Sequence, residues 1–512
     1  MQTNILQYLE ETVKKFPNKV AFADEDFSLS FTELFDRSRS IGSYLISQDC
    51  YKEPVVVFMN RHPKAIAAFL GVAYSGCFYV PVDEEMPSFR IELIIKKLKP
   101  KALICDPASL DLLEKYKYEG LVLLYDDIVN TPINQAALDK IRSKAIDTDP
   151  LYIVYTSGST GIPKGIVGSH RAVIDYIESL SPVLSYNSET VFGSQSPLYF
   201  DACLREIIGT IKHGSTTYLI PKSYFMFPIK LVDFLNEYKV NTICWVVPAL
   251  TMISSLGVLE KKKPEYLHTI AFVSEIFPIK QFNIWRKALP EAKFVNLYGP
   301  TETTGICTYY IVDRDFGLDD VIPIGGPLKN TDIFLLDEND QEPPLGELGE
   351  ICIRGTCLTH GYYNDFERTQ EAFVQNPLNT VYPELIYRTG DLAKYNEYGE
   401  LVFVSRKDFQ IKHMGHRIEL GEIEINATGI DGVHQACCVY DKDRSKIVLY
   451  YVGSISEREV AGQLKKVLPR YMVPNSIRSL ETMPLTANGK INRSYLKEIT
   501  EKKRRENDGN IA

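Results

Sequence analysis

The run YTSGSTGIPKG, residues 155–165, decides how the rest of the chain is read. It holds three glycines, five hydroxyl or phenol side chains, one lysine and one proline. Upstream, LYIVY (151–155) is the apolar, β-branched and aromatic kind of run that forms a buried strand. Downstream, GIVGSHRAV leads towards a helical pattern. A strand ending in such a loop makes a phosphate cradle. Glycines let backbone N–H groups converge on an anion, hydroxyls donate further hydrogen bonds, and a lysine supplies a point charge. Composition alone equally suits a solvated Ser/Thr/Gly loop. A Walker P-loop is excluded, because Lys164 is followed by Gly165 rather than Ser or Thr.

Around this loop, strand-like and helix-like patterns alternate. Ile5, Leu9, Val13 and Phe16 share one face of a helix over 4–16. Short strands follow at 20–23 and 29–31, then an amphipathic helix over 31–45 with Thr32 as its cap. Residues 54–59 read as a buried strand, and 65–83 as a helix, a Gly turn and a strand. Further strands are expected at 101–106, 121–127, 241–250 and 268–277, with a polar surface connection over 127–149. The alternation predicts an α/β fold with largely parallel strands.

At 512 residues, two or more domains are expected. A net charge of -9 argues against nucleic acid as the main partner. The start MQTNILQYLEETVKKF lacks the basic and apolar regions of a signal peptide. No apolar run reaches the roughly 18 residues of a membrane span. The ten cysteines form no CxxC and no zinc spacing with His. They read as reduced, buried thiols, which predicts a cytoplasmic location.

Several strings stand out in order: SGCFYVPVD (75–83), which alone reads as a core strand connection, YFDACLREIIG (199–209), FVNLYGPTETT (294–304), GYYNDFERTQEAF (361–373), which reads as a connector helix, YRTGD (387–391), SRKDFQIKHMGHRIELGEIE (405–424), LPRYMVP (468–474) and LTANGKINR (485–493). Taken alone, Asp201 is either a helix N-cap before ACLREII or a carboxylate suited to an ammonium group. The tetrapeptide around Glu302 alone reads as a Gly-Pro turn with a surface carboxylate. TGD alone is a turn, and Lys490 alone is a solvated lysine after Asn-Gly.

Together with the loop, these strings closely resemble the ordered motifs of the adenylate-forming superfamily. That superfamily comprises acyl-CoA synthetases, luciferases and the adenylation domains of nonribosomal peptide synthesis. The resemblance runs over residues 5–498. It implies a large N-terminal domain (1–407) with mainly parallel sheets and flanking helices. A small, mobile α+β C-terminal domain (408–498) and a disordered tail (499–512) follow. Asp408 would be the hinge, and Gly415 would let a pantetheine arm pass the backbone. Two departures stand out: Val273-Ser274-Glu275 replaces the usual G-G-E, and Ser405 replaces a leading Gly.

The resemblance also implies site roles. Thr156, Ser157, Gly158, Ser159, Thr160, Gly161 and Lys164 would hold ATP phosphates. Tyr298 would stack on adenine beside Asn296 and Gly299, Thr301 would touch the α-phosphate, and Glu302 would hold Mg²⁺. Asp391 and Arg406 would take the ribose. Lys490 would bridge the substrate carboxylate and the adenylate. The substrate pocket would be lined by Asp201, Ala202, Arg205 and Trp245, and by Ala271, Val273, Leu297, Gly305 and Ile306. Asp201 would pair with an α-ammonium group, and Trp245 suggests a shallow pocket. Arg205 either meets an acidic or polar side chain or points past the pocket to solvent.

The implied activity is ATP-dependent activation of an amino acid, then transfer to the phosphopantetheine thiol of a peptidyl carrier protein. No serine attachment motif follows residue 500, so the carrier is expected in trans. A D-alanine–carrier protein ligase is the near alternative. An acyl-CoA synthetase is a further one, and would not need Asp201. A catalytically idle scaffold would usually have lost Lys490 or Glu302, and both are present.

Overall fold

The computed structural model describes residues 2–113, 116, 118–157, 163–318, 320–407, 410–485 and 491–509. LYIVY lies in the strand Pro150–Thr156, buried at every position but the first. This strand belongs to a six-stranded sheet. Its order in space is Leu121–Leu124, Ala102–Cys105, Pro54–Phe58, Phe78–Val82, Pro150–Thr156 and Lys164–Ser169. The pairings from Leu121–Leu124 to Pro150–Thr156 are parallel. PVVVF, FYVPV and ALIC are buried at every residue. Unbroken apolar runs are what a parallel sheet covered on both faces requires.

A nine-stranded sheet follows the same logic. Lys293–Tyr298, Thr269–Val273, Thr242–Val246, Val191–Ser194, Thr216–Leu219 and Val20–Ala23 run parallel, and antiparallel strands close both edges. Arg61, just beyond the strand Pro54–Phe58, links the two sheets. It donates to the carbonyls of Ser194 (2.7 Å), Ser196 (3.0 Å) and Ile220 (2.8 Å). The approach to Asp201 is thereby pinned. A five-stranded sheet, antiparallel in every pair, holds Gly349–Gly355, Leu385–Tyr395 and Leu401–Arg406. The α/β architecture expected of the superfamily is the one observed.

The chain divides into two units. One holds Met1–Glu84, Lys97–Tyr155 and Gly165–Lys407. The other holds Glu85–Lys96, Thr156–Lys164 and Asp408–Ala512. The second contains the hairpin Gln410–His413 with His416–Glu419, whose two-residue turn is Met414 and Gly415. A three-stranded sheet follows, Val433–Asp441, Lys446–Gly453 and Ser476–Ser479, packed by Leu420–Thr428 and Glu457–Val467 around Ile423, Leu449, Val460 and Leu464. No helix among the described residues is long and apolar enough to cross a membrane.

Local differences have local causes. The helix Phe31–Ser47 is capped by Ser30, not Thr32. Ser30 and Glu33 form a reciprocal capping box, while the Thr32 hydroxyl donates to the Pro17 carbonyl (2.9 Å). Residues after the loop form the strand Lys164–Ser169 before the helix His170–Leu184 begins, with Ser169 as cap. The polar connection contains the helix Gln135–Arg142, which buries Leu138. TGD is not a free turn but part of the strand Leu385–Tyr395. The tail expected to be disordered from 499 continues the helix Arg493–Gly509. Leu496 and Thr500 bury its start, and Glu, Lys and Arg are good helix formers.

Candidate functional site

In the first unit the site is built at the ends of parallel strands, where such sheets place ligands. Lys293–Tyr298 ends in a tight turn. Cys307 N–H donates to the Tyr298 carbonyl (2.8 Å), and Thr303 N–H to the Pro300 carbonyl (3.0 Å). A Cβ on Gly299 would stand 2.5 Å from the Gly305 carbonyl oxygen. Gly305 has φ +92, and a Cβ there would stand 3.3 Å from Asp201 Oδ2. Two glycines thus let the turn carrying Thr301 and Glu302 fold down against Asp201.

Asp201 opens the short turn Asp201–Cys203 ahead of the helix Leu204–His213, and caps neither by its side chain. Thr301 and the Ala202 N–H stand near its carboxylate as donors that favour the charged form. It forms no ion pair among the described residues. Desolvation pushes its pKa above the usual carboxylate value, against the pull of Thr301 and Arg205. Asp201, Ala202, Val273, Thr301 and Gly305 all keep partial exposure.

Two expectations for the pocket wall change. Arg205 is only 1% exposed. It donates to Glu206 Oε1 (3.1 Å), Ser196 Oγ (3.1 Å) and the Cys244 carbonyl (2.6 Å). It does not point to solvent, and its charge is held by these close partners, as a buried guanidinium requires. Trp245 is also displaced. Pairing of the three strands aligns Cys244, Ala271 and Val295, and one residue on, Trp245, Phe272 and Asn296. Side chains alternate faces, so Trp245 packs with Phe272 and Phe225, while Ala271, Leu297 and Ile306 join the cluster on the other side. Trp245 Nε1 donates to the Gly193 carbonyl (2.7 Å). It does not shorten a pocket shared with Ala271.

Tyr298, Asp391 and Arg406, far apart in sequence, do meet. The Tyr298 hydroxyl donates to Asp391 Oδ2 (2.5 Å), and Arg406 Nη1 donates to Oδ1 (2.7 Å). Burial and the Asp391 charge push the Tyr298 phenol far above its usual pKa. Asn296 uses its amide nitrogen on the Pro323 carbonyl (2.8 Å), leaving its amide oxygen to face other donors. Glu302 is fully buried and accepts from the Tyr362 hydroxyl (2.8 Å). Sequence reasoning missed Tyr362, since GYYND reads only as a connector.

In the second unit, Thr156 Oγ1 is buried without a hydrogen-bond partner among the described residues. Ser157 Oγ donates to the Arg417 carbonyl (2.8 Å). Lys164 is buried at the start of its strand. Gly158, Ser159, Thr160, Gly161, Asp408 and Lys490 lie outside the described residues.

Residues 9–363 match the family described as AMP-binding enzyme, and residues 422–490 match the AMP-binding enzyme C-terminal domain. The chain belongs to the AMP-binding enzyme family. It is 30% identical over 499 residues to tyrocidine synthase 3 of Brevibacillus parabrevis, covering 96% of this chain and 8% of that protein. It is 31% identical over 503 residues to surfactin synthase subunit 3 of Bacillus subtilis (strain 168), covering 97% and 39%. The chain therefore spans a minor part of those relatives. Its fold matches NpsA-ThdA, an artificially fused adenylation-PCP di-domain NRPS from Klebsiella oxytoca, with a TM-score of 0.80 at 21% identity, covering 93% of this chain and 94% of that one.

The residues present also fit the Mg²⁺ that the resemblance implies. No cluster of three or more acidic, His or Cys side chains stands ready for a metal among the described residues. One oriented carboxylate, Glu302, suits a hard cation that takes most of its ligands from phosphates and water.

Proposed function

We propose that the chain activates an amino acid with ATP, releases pyrophosphate, and passes the aminoacyl group to the phosphopantetheine thiol of a carrier protein. The observation that carries this reading is Asp201: a desolvated carboxylate, open on one side, with no ion pair among the described residues. An α-ammonium group supplies the missing cation. A fatty or aryl acid would leave the carboxylate uncompensated. The ten buried thiols support a reducing, cytoplasmic setting.

The chemistry follows from the roles. A substrate carboxylate oxygen attacks the α-phosphorus, and the bond to the bridging oxygen breaks as pyrophosphate leaves. Two anions must be brought together, so the protein's work is positioning and charge stabilisation. Asp201 anchors the ammonium end, and Thr301 turns its one hydroxyl proton from Asp201 to the α-phosphate as the ammonium group arrives. The Thr156 hydroxyl and Lys164 hold phosphate oxygens. Asp391, steadied by Tyr298 and Arg406, accepts from the ribose hydroxyls. Lys490 bridges the substrate carboxylate and the α-phosphate. Mg²⁺, held by Glu302, would neutralise phosphate charge when bound. In the second half-reaction the carrier thiolate attacks the acyl carbon, and AMP departs with the electron pair of the C–O bond. The domain turns about Asp408 between the two half-reactions.

ATP–pyrophosphate exchange tests this across the proteinogenic amino acids in both stereoisomers, with short fatty and aryl acids alongside. Exchange with one amino acid is expected. Asp201→Asn should lower kcat/KM for it by roughly 10²-fold or more, the cost of truncating one partner of a desolvated charge pair. Exchange driven only by a non-amino acid overturns the role of Asp201. D-alanine as the preferred substrate would assign the chain to the D-alanine–carrier protein ligases.

A further inference from the structure

We propose that Tyr362 is a positioning residue for Glu302, fixing the direction in which that carboxylate meets a divalent cation. The inference rests on the reading of Glu302 as the metal-binding carboxylate. The Tyr362 hydroxyl donates to Glu302 Oε1 at 2.8 Å, and the two residues are 7% and 0% exposed. A glutamate has three rotatable bonds and, left alone, would sample several orientations. A neutral hydroxyl donor fixes one while leaving the negative charge in place. A lysine there would hold the carboxylate equally well but cancel the charge a cation needs.

The donor itself is held from several sides. Residues 359–363 lie against the strand Lys164–Ser169. His360 N–H donates to the Val167 carbonyl (2.9 Å), Val167 N–H to Gly361 (3.0 Å), and Tyr363 N–H to Gly165 (2.8 Å), with an antiparallel bridge between Ile166 and Tyr362. Tyr362 N–H reaches Thr369 Oγ1 (2.9 Å) at the helix Phe366–Ala372. The same segment grips the main chain of Glu302, because Thr359 N–H donates to its carbonyl (3.0 Å). One short strap therefore sets both the backbone and the carboxylate of Glu302.

Tyr362→Phe removes one oxygen atom and keeps the ring that packs on Phe373. The probe is Mn²⁺ in place of Mg²⁺, titrated by electron paramagnetic resonance with an ATP analogue whose α–β bridge is a methylene, so that nothing turns over. Tyr362→Phe should weaken Mn²⁺ by about tenfold, the usual loss when the support of a metal ligand is removed. Analogue binding in EDTA should stay unchanged. In exchange assays the variant should need more Mg²⁺ for half-maximal rate while KM for the amino acid holds. Glu302→Gln is the control. If Glu302→Gln leaves Mn²⁺ binding intact, the reading of Glu302 fails, and this inference with it. If Glu302→Gln weakens Mn²⁺ and Tyr362→Phe does not, only the role of Tyr362 is overturned. A parallel loss of analogue binding in EDTA would make Tyr362 a structural residue and overturn it too.

Discussion

Asp201 burdens the folded chain whenever its site holds no cation. Desolvation raises its pKa above the ordinary 3.8. The folded protein then keeps this proton to a higher pH than the unfolded chain does. The stability this group contributes is complete below pH 3.8 and is lost as pH rises through the folded value. At pH 7 the charged carboxylate is a net cost that an asparagine would not carry. Asp201→Asn should therefore melt higher than the wild type at pH 7, and the gap should close as pH falls towards 4. Adding the preferred amino acid should raise the melting temperature of the wild type and leave the variant where it was. A variant that melts lower at pH 7 would mean that Asp201 is a structural hydrogen-bonding group. At this scale, residues embedded in ordered strings were legible. Tyr298, Asp391 and Arg406 do converge, although 93 residues separate the first two. Tyr362 was not legible, because nothing local in GYYND marks which hydroxyl will reach a carboxylate 60 residues upstream.

The helix Leu204–His213 shows what an element hides. Its sequence, LREIIGTIKH, leaves Arg205 free to point to solvent and gives no sign of where Glu206 goes. Both are instead buried, at 1% and 2% exposure, and pair at 3.1 Å. Removing one member of such a pair strands the other charge, typically at about 3–5 kcal/mol, whereas replacing both with apolar residues is far milder. Arg205→Met should be the worst single change, since it leaves Glu206 without its cation and withdraws the nearby positive charge from Asp201. The double variant Arg205→Met/Glu206→Met should be more stable than Arg205→Met alone. Urea unfolding followed by circular dichroism checks this. Additive losses would mean that Arg205 acts mainly through the Cys244 carbonyl and Ser196. Trp245 teaches the same limit in a strand. Residue type gave burial, but only the pairing register gave the face, and a shift by one residue changes every face. Element existence was largely readable from apolar periodicity. Boundaries moved where a cap or a proline intervened, as at Ser30, and at Val247–Ser255, where the expected strand becomes a helix with proline in its first turn.

Across the whole molecule, length alone called for more than one core, but sequence order could not show that Glu85–Lys96 and Thr156–Lys164 group with the C-terminal residues. Contacts distant in sequence decide that, and no periodicity encodes them. The cysteines pose a molecule-wide question of another kind. The proposed second half-reaction needs a thiolate, and the chain has ten cysteines. All ten are free and buried. Desolvation raises nine of them, Cys50, Cys105 and Cys357 to about 11 and Cys244, Cys352 and Cys437 to about 12. Burial shields all ten, and the raised pKa of these nine disfavours the thiolate that would attack an acyl-adenylate. The proposed carrier protein supplies the acceptor sulfur from another group. Ellman's reagent should find essentially no reactive thiol in the native protein and all ten in denaturant. After incubation with ATP and the radiolabelled preferred amino acid, the acid-precipitated chain should carry no label, and label should appear on a phosphopantetheinylated carrier protein added to the mixture. A labelled thioester on the chain itself would make one of its own cysteines the acceptor and remove the need for the carrier.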